Sequence, residues 1–134
     1  MRKILVILLI LIPIFIGSRL KCDYSLLFER IRVKATCYYP SRKQCDRQPL
    51  ITSNGSIIDK VNPLSHRWVA VSRDLLKSHL RYGDWVYVSG TGIYDGWWMV
   101  NDKMNKRFKH TIDFLVGKDD PIDMWANVEV RINN

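Results

Sequence analysis

The chain has 134 residues, enough for one domain, and its 21 basic and 13 acidic residues give a net charge of +8. Four of the basic residues lie in the first 21 positions, so the remainder carries 17 basic against 13 acidic residues, or +4. This modest, scattered excess does not predict binding to nucleic acid. It suits an anionic partner such as a polymer of the cell envelope, and an ordinary solvated surface is the alternative interpretation.

The first 21 residues have the pattern of an export signal or an N-terminal anchor. Arg2 and Lys3 precede an apolar run from Ile4 to Gly17, as the basic and hydrophobic regions of a signal peptide do. The run is shorter than the about twenty apolar residues that span a membrane comfortably. Ile16 is not the small residue that cleavage sites prefer, so an uncleaved anchor is the alternative. Either way, we expect an exported protein of the periplasm or cell envelope.

The rest of the chain is typical of a small β domain. Residues 22–32 are expected to form a spacer with a helical turn at "SLLFERI", and the domain itself to cover residues 33–134. Strand character is found in "VKATCYY", "RWVAV", "DWVYV", "GIY", "WWMV", "TIDFLV" and "NVEVRI". Asp95-Gly96 predicts a hairpin between the fourth and fifth of these segments. One short helix is predicted after Ser72, over "RDLLKSHL", and the whole pattern favours a barrel or sandwich.

Few residues in this domain could carry chemistry. His66, His79 and His110 are scattered and do not form a zinc-binding pattern. The motifs of serine nucleophiles and of phosphate-binding glycine loops are absent from the sequence. Cys37 and Cys45 flank a polar loop and could form a disulfide in an exported protein, with two free thiols as the alternative. Carboxylates are therefore the remaining candidates.

Two aspartates stand at notable positions. Asp102 follows the apolar segment "WWMV", and Asp113 lies between Ile112 and Phe114. A carboxyl group in a partly dry cleft has a raised pKa and can donate a proton near neutral pH. Strand alternation could instead point Asp113 to water, and the pattern alone favours that simpler interpretation.

Four segments together resemble a known family. "VKATCYYP" has the form V-x-A-T-x-Y, "ITSNG" has the form T-x-x-G, and "VAVSRDLL" and "YGDWVYV" follow. "VNDKMNKRFKHTIDFLVG" then holds two aspartates eleven residues apart. In this order, over roughly Val33 to Gly117, the segments resemble the 3D domain, a family named for three aspartates.

The resemblance implies a six-stranded double-psi β-barrel, similar to membrane-bound lytic transglycosylase A, rare lipoprotein A and the expansins. It also implies a lytic transglycosylase that cleaves the glycan strands of peptidoglycan between N-acetylmuramic acid and N-acetylglucosamine, leaving 1,6-anhydro ends. By motif position, Asp113 is the acid/base and Asp102 the neighbouring carboxylate, with Tyr38 and Thr52 as substrate-binding candidates. We expect a monomer that needs no cofactor or metal, binds no nucleic acid, and meets the membrane only through an uncleaved N-terminal segment.

Trp97 is a further substrate-binding candidate, because sugar rings stack on exposed aromatic side chains. Trp97 and Trp98 are adjacent in a predicted strand and should point to opposite faces. We therefore expect one of them in the core and the other accessible.

The chain departs from the family pattern at three places. Ser72 stands where the first aspartate is expected, Met104-Asn105 replaces a Gly-Gly pair, and Phe108-Lys109 replaces Lys-Gly. Such glycines let the backbone approach a ligand closely, so their loss bears on how substrate would fit. Two other functions stay open: an expansin-like module that binds wall glycan without cleaving it, and an inhibitor or interaction protein of the envelope built on the same barrel.

Overall fold

Six short strands pair in a closed circle in the computed structural model, which describes residues 27–43, 45 and 47–133. The elements in chain order are β1 (Phe28–Tyr38), a 3-10 helix (Pro63–His66), β2 (Trp68–Val71), α1 (Arg73–Ser78), β3 (Trp85–Ser89), β4 (Gly96–Lys103), β5 (Thr111–Leu115) and β6 (Trp125–Asn133). The predicted mainly β fold, a six-stranded barrel with one short helix, is confirmed. The predicted leader, residues 1–21, lies outside the described residues.

The order of strands around the barrel is β1-β5-β2-β4-β3-β6, and β6 closes the circle against β1. The β1–β5 and β2–β4 pairs are parallel, whereas the other four pairs are antiparallel. Because β2 lies between β5 and β4, it joins the two segments that carry Asp113 and Asp102. Residues far apart in the sequence are thus brought to one side of the barrel.

The barrel interior is filled by every second side chain of the strands, as the period of a β-strand requires. Trp98 and Phe114 are its largest fully buried side chains, and their ring centroids lie 4.6 Å apart. Around them pack small β-branched residues: Val33, Val69, Val71, Val86, Val88, Val100, Val128 and Val130. Trp98 is fully buried while Trp97 is 46% exposed, so the expected division between the two tryptophans is confirmed.

A second apolar cluster lies on the outer face of β1, β5 and β2. It contains Tyr38, Ile58, Ala70, Met104 and Leu115, which alternate along their strands with residues of the interior or come from the covering loops. The long segment between β1 and β2 folds over this face, and Ile58 is anchored there by a hydrogen bond from its N–H to the carbonyl oxygen of Leu50 (2.8 Å). The barrel therefore has a covered outer wall as well as a filled interior.

β1 begins earlier than the sequence analysis expected. Residues 28–32, assigned there to a spacer with a helical turn, pair with the end of β6, from Phe28 opposite Asn133 to Arg32 opposite Glu129. Ile31 is buried and Arg30 and Arg32 are exposed, which extends the alternation of the strand. The spacer prediction for residues 28–32 was wrong. The charged residues on both sides of Ile31 make the strand alternation hard to recognise in the sequence.

The segment "GIY" is a loop and not a strand. β3 and β4 form a hairpin whose connection spans residues 90–95. Asp95 holds the loop, because its Oδ1 accepts hydrogen bonds from the N–H and the hydroxyl of Thr91, both 2.8 Å, and from the N–H of Gly92 (3.2 Å). Tyr94 fits the apolar pattern of a strand because its side chain is buried in the core. Its carbonyl oxygen accepts a hydrogen bond from the indole N–H of Trp98 (2.8 Å).

Helix α1 starts after Ser72, as predicted, but it ends at Ser78 and not at Leu80; Leu75 in the helix and Leu80 beyond it are both buried. The hydroxyl of Ser72 does not cap the helix; it accepts a hydrogen bond from the N–H of Thr111 at the start of β5 (3.1 Å). Within the described residues no helix is both long and apolar enough to cross a membrane.

The early start of β1 predicts a stability effect at Ile31. Ile31→Ala should lower the free energy of unfolding by about 2–3 kcal/mol, because it removes a buried side chain from a strand paired on both flanking residues. Arg30→Ala, on the exposed face of the same strand, should change it by less than about 0.5 kcal/mol. Urea unfolding of both variants measures the difference, and equal small effects would place residues 28–32 outside the barrel.

Candidate active site

A cavity of about 540 Å³ lies between the outer wall of the barrel and the loops that cover it. Its floor includes Ala70 on β2, with Asp113 and Asp102 on the neighbouring strands. Its walls come from residues 45 and 48–53 and from the loop that follows β4. Cavities of this size are typical of small-molecule and oligomer binding sites.

The two aspartates flank one alanine in the register of the sheet. Ala70 is paired with Asp113 of β5 on one side and with Asp102 of β4 on the other. Adjacent strands are about 4.8 Å apart, so the two backbones that carry the acids are separated by about 10 Å. Thr36 of β1 continues the row on the far side of Asp113. The small side chain of Ala70 thus leaves space between two carboxyl groups.

A β-bulge at Asn101 decides which residue of β4 faces the cavity. Val69 pairs with Val100, but the next residue, Ala70, pairs with Asp102, so that Asn101 has no partner on β2. In a regular ladder Asn101 would stand beside Ala70, and a shift of one residue moves a side chain to the opposite face. Bulges often re-aim a side chain in this way next to functional sites.

Asp113 is a partly buried acid with one hydrogen-bond donor. The hydroxyl of Thr36 donates to its Oδ1 at 2.7 Å. Burial raises the pKa of Asp113 from 3.8 to about 6, with the hydrogen bond from Thr36 opposing this shift and the negative charge of Asp102 adding to it. A substantial fraction of Asp113 is therefore protonated at mildly acidic pH, which is the state a general acid requires.

Asp102, by contrast, is surrounded by donors. Its Oδ1 accepts hydrogen bonds from the N–H of Ser53 (2.9 Å) and the N–H of Lys103 (2.8 Å), and its Oδ2 accepts one from the hydroxyl of Tyr38 (3.2 Å). Burial, followed by the charges of Asp102 and Asp113, raises the pKa of Tyr38 far above its usual value. Tyr38 therefore stays a neutral donor toward Asp102.

The turn that supplies Ser53 is held from β4. Asn101 accepts hydrogen bonds at its Oδ1 from the side chains of Asn54 (2.8 Å) and Ser56 (3.2 Å). Within the turn, Thr52 Oγ1 accepts a hydrogen bond from the N–H of Ser56 (3.1 Å), and Gly55 adopts a positive φ of 86°. The bulge residue and its neighbour Asp102 thus fix both sides of the same turn.

The structure brings most of the predicted site residues together. Asp113, Asp102, Tyr38 and Thr52 all line the cavity. Trp97 does not line it; it lies on the outer face of the β3–β4 hairpin, with the ring of Tyr87 against it edge to face at 5.4 Å between centroids. Thr36, Ser53, Ala70 and Asn101 were not singled out, although all four stood inside the quoted motifs.

Cys37 and Cys45 are not joined to each other, so the disulfide considered in the sequence analysis is not formed. The reason is the alternation of β1, because Cys37 packs against the interior core and Cys45 against the outer cluster. Burial, with the charge of Asp113 adding to it, raises the pKa of the Cys37 thiol to about 11. That thiol is protonated, and hence unreactive, near neutral pH.

The positions that depart from the family pattern have definite places. Met104, which replaces a glycine, belongs to the outer cluster, and Phe108, which replaces a lysine, packs against that cluster; both line the cavity. Ser72 is fully buried, and Asp74 accepts a hydrogen bond from the N–H of His110 (3.0 Å). Neither residue lines the cavity, so no third acid is found there at the position that the family pattern predicts. In the part of the chain that the structure describes, no group of three or more His, Cys, Asp or Glu side chains is arranged to hold a metal ion.

Compared with known proteins, the chain matches no model of a protein family and no curated protein sequence.

The raised pKa of Asp113 predicts a pH-dependent gain in stability when the acid is removed. The protonated acid is favoured in the folded state, so its contribution is complete below pH 3.8 and is lost as the pH rises through about 6. Asp113→Asn cannot ionise and keeps an acceptor for Thr36. It should therefore be more stable than the unmodified protein at about pH 8, by up to about 3 kcal/mol, and similar to it at about pH 4.

Thermal or urea unfolding at the two pH values measures this difference. Asp119→Asn is the matched control, because Asp119 is exposed and should give no pH-dependent gain. An Asp113→Asn protein that is less stable than the unmodified protein at about pH 8 would contradict the buried, destabilised carboxylate.

Proposed function

We propose that the protein is a lytic transglycosylase of the cell envelope, which cleaves the bond between N-acetylmuramic acid and N-acetylglucosamine in peptidoglycan. The observation that carries this proposal is that one partly buried carboxyl group with a raised pKa, Asp113, lines the same cavity as a second carboxylate, Asp102. Two titratable groups whose environments differ in this way are typical of acid/base sites. The resemblance to the 3D domain, at the same two aspartates, supplies the reaction class.

In the proposed reaction Asp113 acts first as an acid. Its proton passes to the glycosidic oxygen while the bond from that oxygen to the anomeric carbon breaks, and the bonding electrons go to the leaving oxygen. The sugar left behind carries positive charge at its anomeric carbon. The negative charge of Asp102 stabilises this species across the cavity floor.

Asp113 then acts as a base. Its carboxylate takes the proton of the 6-hydroxyl of the same N-acetylmuramic acid, and that oxygen bonds to the anomeric carbon to close the 1,6-anhydro ring. Asp113 ends protonated, as it began, so water is not consumed and no cofactor is required. One carboxyl group that serves in both steps distinguishes this scheme from glycosidases in which two carboxyl groups divide the roles.

The surroundings of Asp102 support an auxiliary role for it. Its two oxygens already accept three hydrogen bonds from the protein, from Ser53, Lys103 and Tyr38. Three hydrogen bonds hold this carboxylate in a fixed position. It is therefore suited to fix a charge beside the reacting sugar and to raise the pKa of Asp113, and less suited to transfer a proton.

The fold and the leader supply further support. A closed six-stranded barrel that contains two parallel pairs, β1–β5 and β2–β4, is compatible with the double-psi barrel that the resemblance implies. Under this proposal the chain is exported to the periplasm or the envelope surface, possesses an N-terminal segment that is cleaved or serves as an anchor, and acts as a monomer on glycan strands. Nucleic acid is not a partner.

A non-catalytic module that binds wall glycan is the second candidate, and a surface outside the cavity favours it. Trp85 and Trp97 are 49% and 46% exposed, and Tyr87 pairs with Trp97 across the β3–β4 hairpin. Aromatic side chains on one sheet face offer rings on which sugars stack. This candidate requires no role for Asp113.

A digest of purified peptidoglycan decides between these functions. The full chain should release products that end in 1,6-anhydro-N-acetylmuramic acid, identified by mass spectrometry, and Asp113→Asn should release at least about a thousandfold less, because the proton donor is missing. Asp119→Asn is the control and should retain full activity. Products with reducing ends would indicate a hydrolase, and binding to the wall without any product would indicate the binding module.

The pH dependence of the reaction should report the same acid. Because Asp113 must be protonated to start the reaction, kcat/KM should fall as the pH rises through about 6. Asp102→Asn removes a like charge that raises the pKa of Asp113, so the fall should begin at lower pH, with activity reduced by about ten- to a hundredfold. An unchanged pH profile in Asp102→Asn would contradict the proposed coupling of the two groups.

A further inference from the structure

Three basic side chains line the same cavity as the two aspartates. Arg73 is the first residue of α1, Lys103 ends β4, and Arg107 belongs to the loop that follows. All three residues are exposed. They come from elements that meet at one wall of the cavity, where the N–H of Met104 donates to the carbonyl oxygen of Val71 (2.9 Å).

None of these three cations forms an ion pair with a described residue. The ion pairs found among those residues join Arg32 and Arg131 to Glu129, His79 to Glu29, and His110 to Asp74. Asp102, the carboxylate next in sequence to Lys103, is held by the N–H of that lysine and by two other donors. Among the residues that the structure describes, no carboxylate therefore neutralises the positive charges at the cavity.

The two guanidinium groups are partly positioned by the protein. Arg73 Nε lies 3.4 Å from the carbonyl oxygen of Met104, and the guanidinium of Arg107 lies 4.8 Å from the ring centre of Phe108. A guanidinium held in place loses less conformational freedom when it binds a carboxylate, and it can bind the two oxygens in parallel.

The surrounding loop increases the positive potential. From Lys103 to Lys109 the sequence is "KMNKRFK", which contains four basic residues and no acidic one. Lys106 and Lys109 are exposed beside the cavity wall. A neutral sugar needs hydroxyl partners and gains little from such a field, whereas an anionic substituent gains both affinity and rate of association from it.

We propose that Arg73, Lys103 and Arg107 form a subsite for a carboxylate carried by the glycan, so that the protein selects acidic over neutral sugar chains. The ligand chemistry is a free carboxylate attached to the amino sugar, and two sources supply it. One is the lactyl group of muramic acid without a peptide, and the other is the peptide joined to that lactyl group. This inference rests on the proposed function, because it takes the glycan as the substrate. It adds the chemical feature, a carboxylate, by which the protein selects that glycan.

Binding by the full-chain Asp113→Asn protein tests the subsite without turnover. Three soluble glycan oligomers of equal length serve as probes: one with free lactyl carboxylates, one with these carboxylates converted to methylamides, and one with the peptides attached. At low ionic strength we expect the methylamide form to bind about tenfold more weakly than the tighter of the two acidic forms. The tighter of the two acidic forms identifies the source of the carboxylate.

Charge variants locate the effect. Arg73→Gln and Arg107→Gln, each combined with Asp113→Asn, should weaken binding of the acidic probe by about three- to tenfold and leave the methylamide probe unchanged. Lys118→Gln, an exposed cation that does not line the cavity, is the matched control and should have no effect. All four positions can be checked for folding by circular dichroism.

The outcomes separate this inference from the proposed function. Equal binding of all three probes, or an equal loss in Lys118→Gln and Arg73→Gln, would overturn the subsite and leave a glycan-binding protein. Failure of every probe to bind would overturn both. Carboxylate-dependent binding by a protein that releases no product from peptidoglycan would support the subsite and reject the transglycosylase.

Discussion

The barrel and its cavity both depend on the pairing of β2 with β5 on one side and with β4 on the other. This strand has only four residues, yet its two valines are completely buried inside and Ala70 forms part of the cavity floor outside. Antiparallel pairing with β5 brings Asp113 beside Ala70, and parallel pairing with β4 brings Asp102 beside it from the other direction. The same hydrogen bonds that close the barrel therefore set the distance between the two acids.

The environments of the two acids differ because Asp102 accepts three hydrogen bonds from the protein, whereas Asp113 accepts one. Asp102 accepts hydrogen bonds from a turn, from the end of β4 and from a tyrosine. Asp113 accepts one hydrogen bond, from a hydroxyl, in a less solvated position. Its burial is tolerated because the group can take up a proton, which is less unfavourable than an isolated buried charge. The proposed chemistry thus depends on the uneven distribution of hydrogen-bond donors between the two acids at the floor of the cavity.

Much of the fold could be predicted from the sequence, because the period of two is plain wherever valines and aromatics alternate. The helix after Ser72 and the strands around Val69, Val86 and Phe114 follow from that period and from helix-start signals. Strand alternation was less visible at Ile31, among charged residues, and misleading at Tyr94, whose burial comes from a loop folding inward. Local pattern does not distinguish a buried loop residue from a strand residue.

The site was predictable only in part. The positions of Asp102 and Asp113 followed from a resemblance, but the bulge at Asn101 is a property of pairing and leaves no mark in the sequence of β4 itself. Trp97 was a candidate for sugar binding because sugar rings stack on accessible aromatic side chains, yet accessibility does not specify which side of a barrel a residue occupies. The cover over the cavity depends on residues 45 and 47–58, whose hydrogen bonds to β4 join positions more than forty residues apart in the sequence.

The placement of the cavity on the outer wall has a consequence for how this chain can change. Along β2 and β5 the residues that fill the barrel alternate with those that face the cavity. One set of positions therefore determines how the core packs, and the other determines the shape and chemistry of the cavity. Volume-conserving exchanges among the inner valines can adjust stability while the acids keep their places. On β4 this independence depends on the bulge, because a regular pairing of Asn101 with Ala70 would turn Asp102 to the opposite face. Single-residue insertions and deletions before the bulge shift the residues of β4 relative to β2 and β3, so we expect them to be far less tolerated than substitutions.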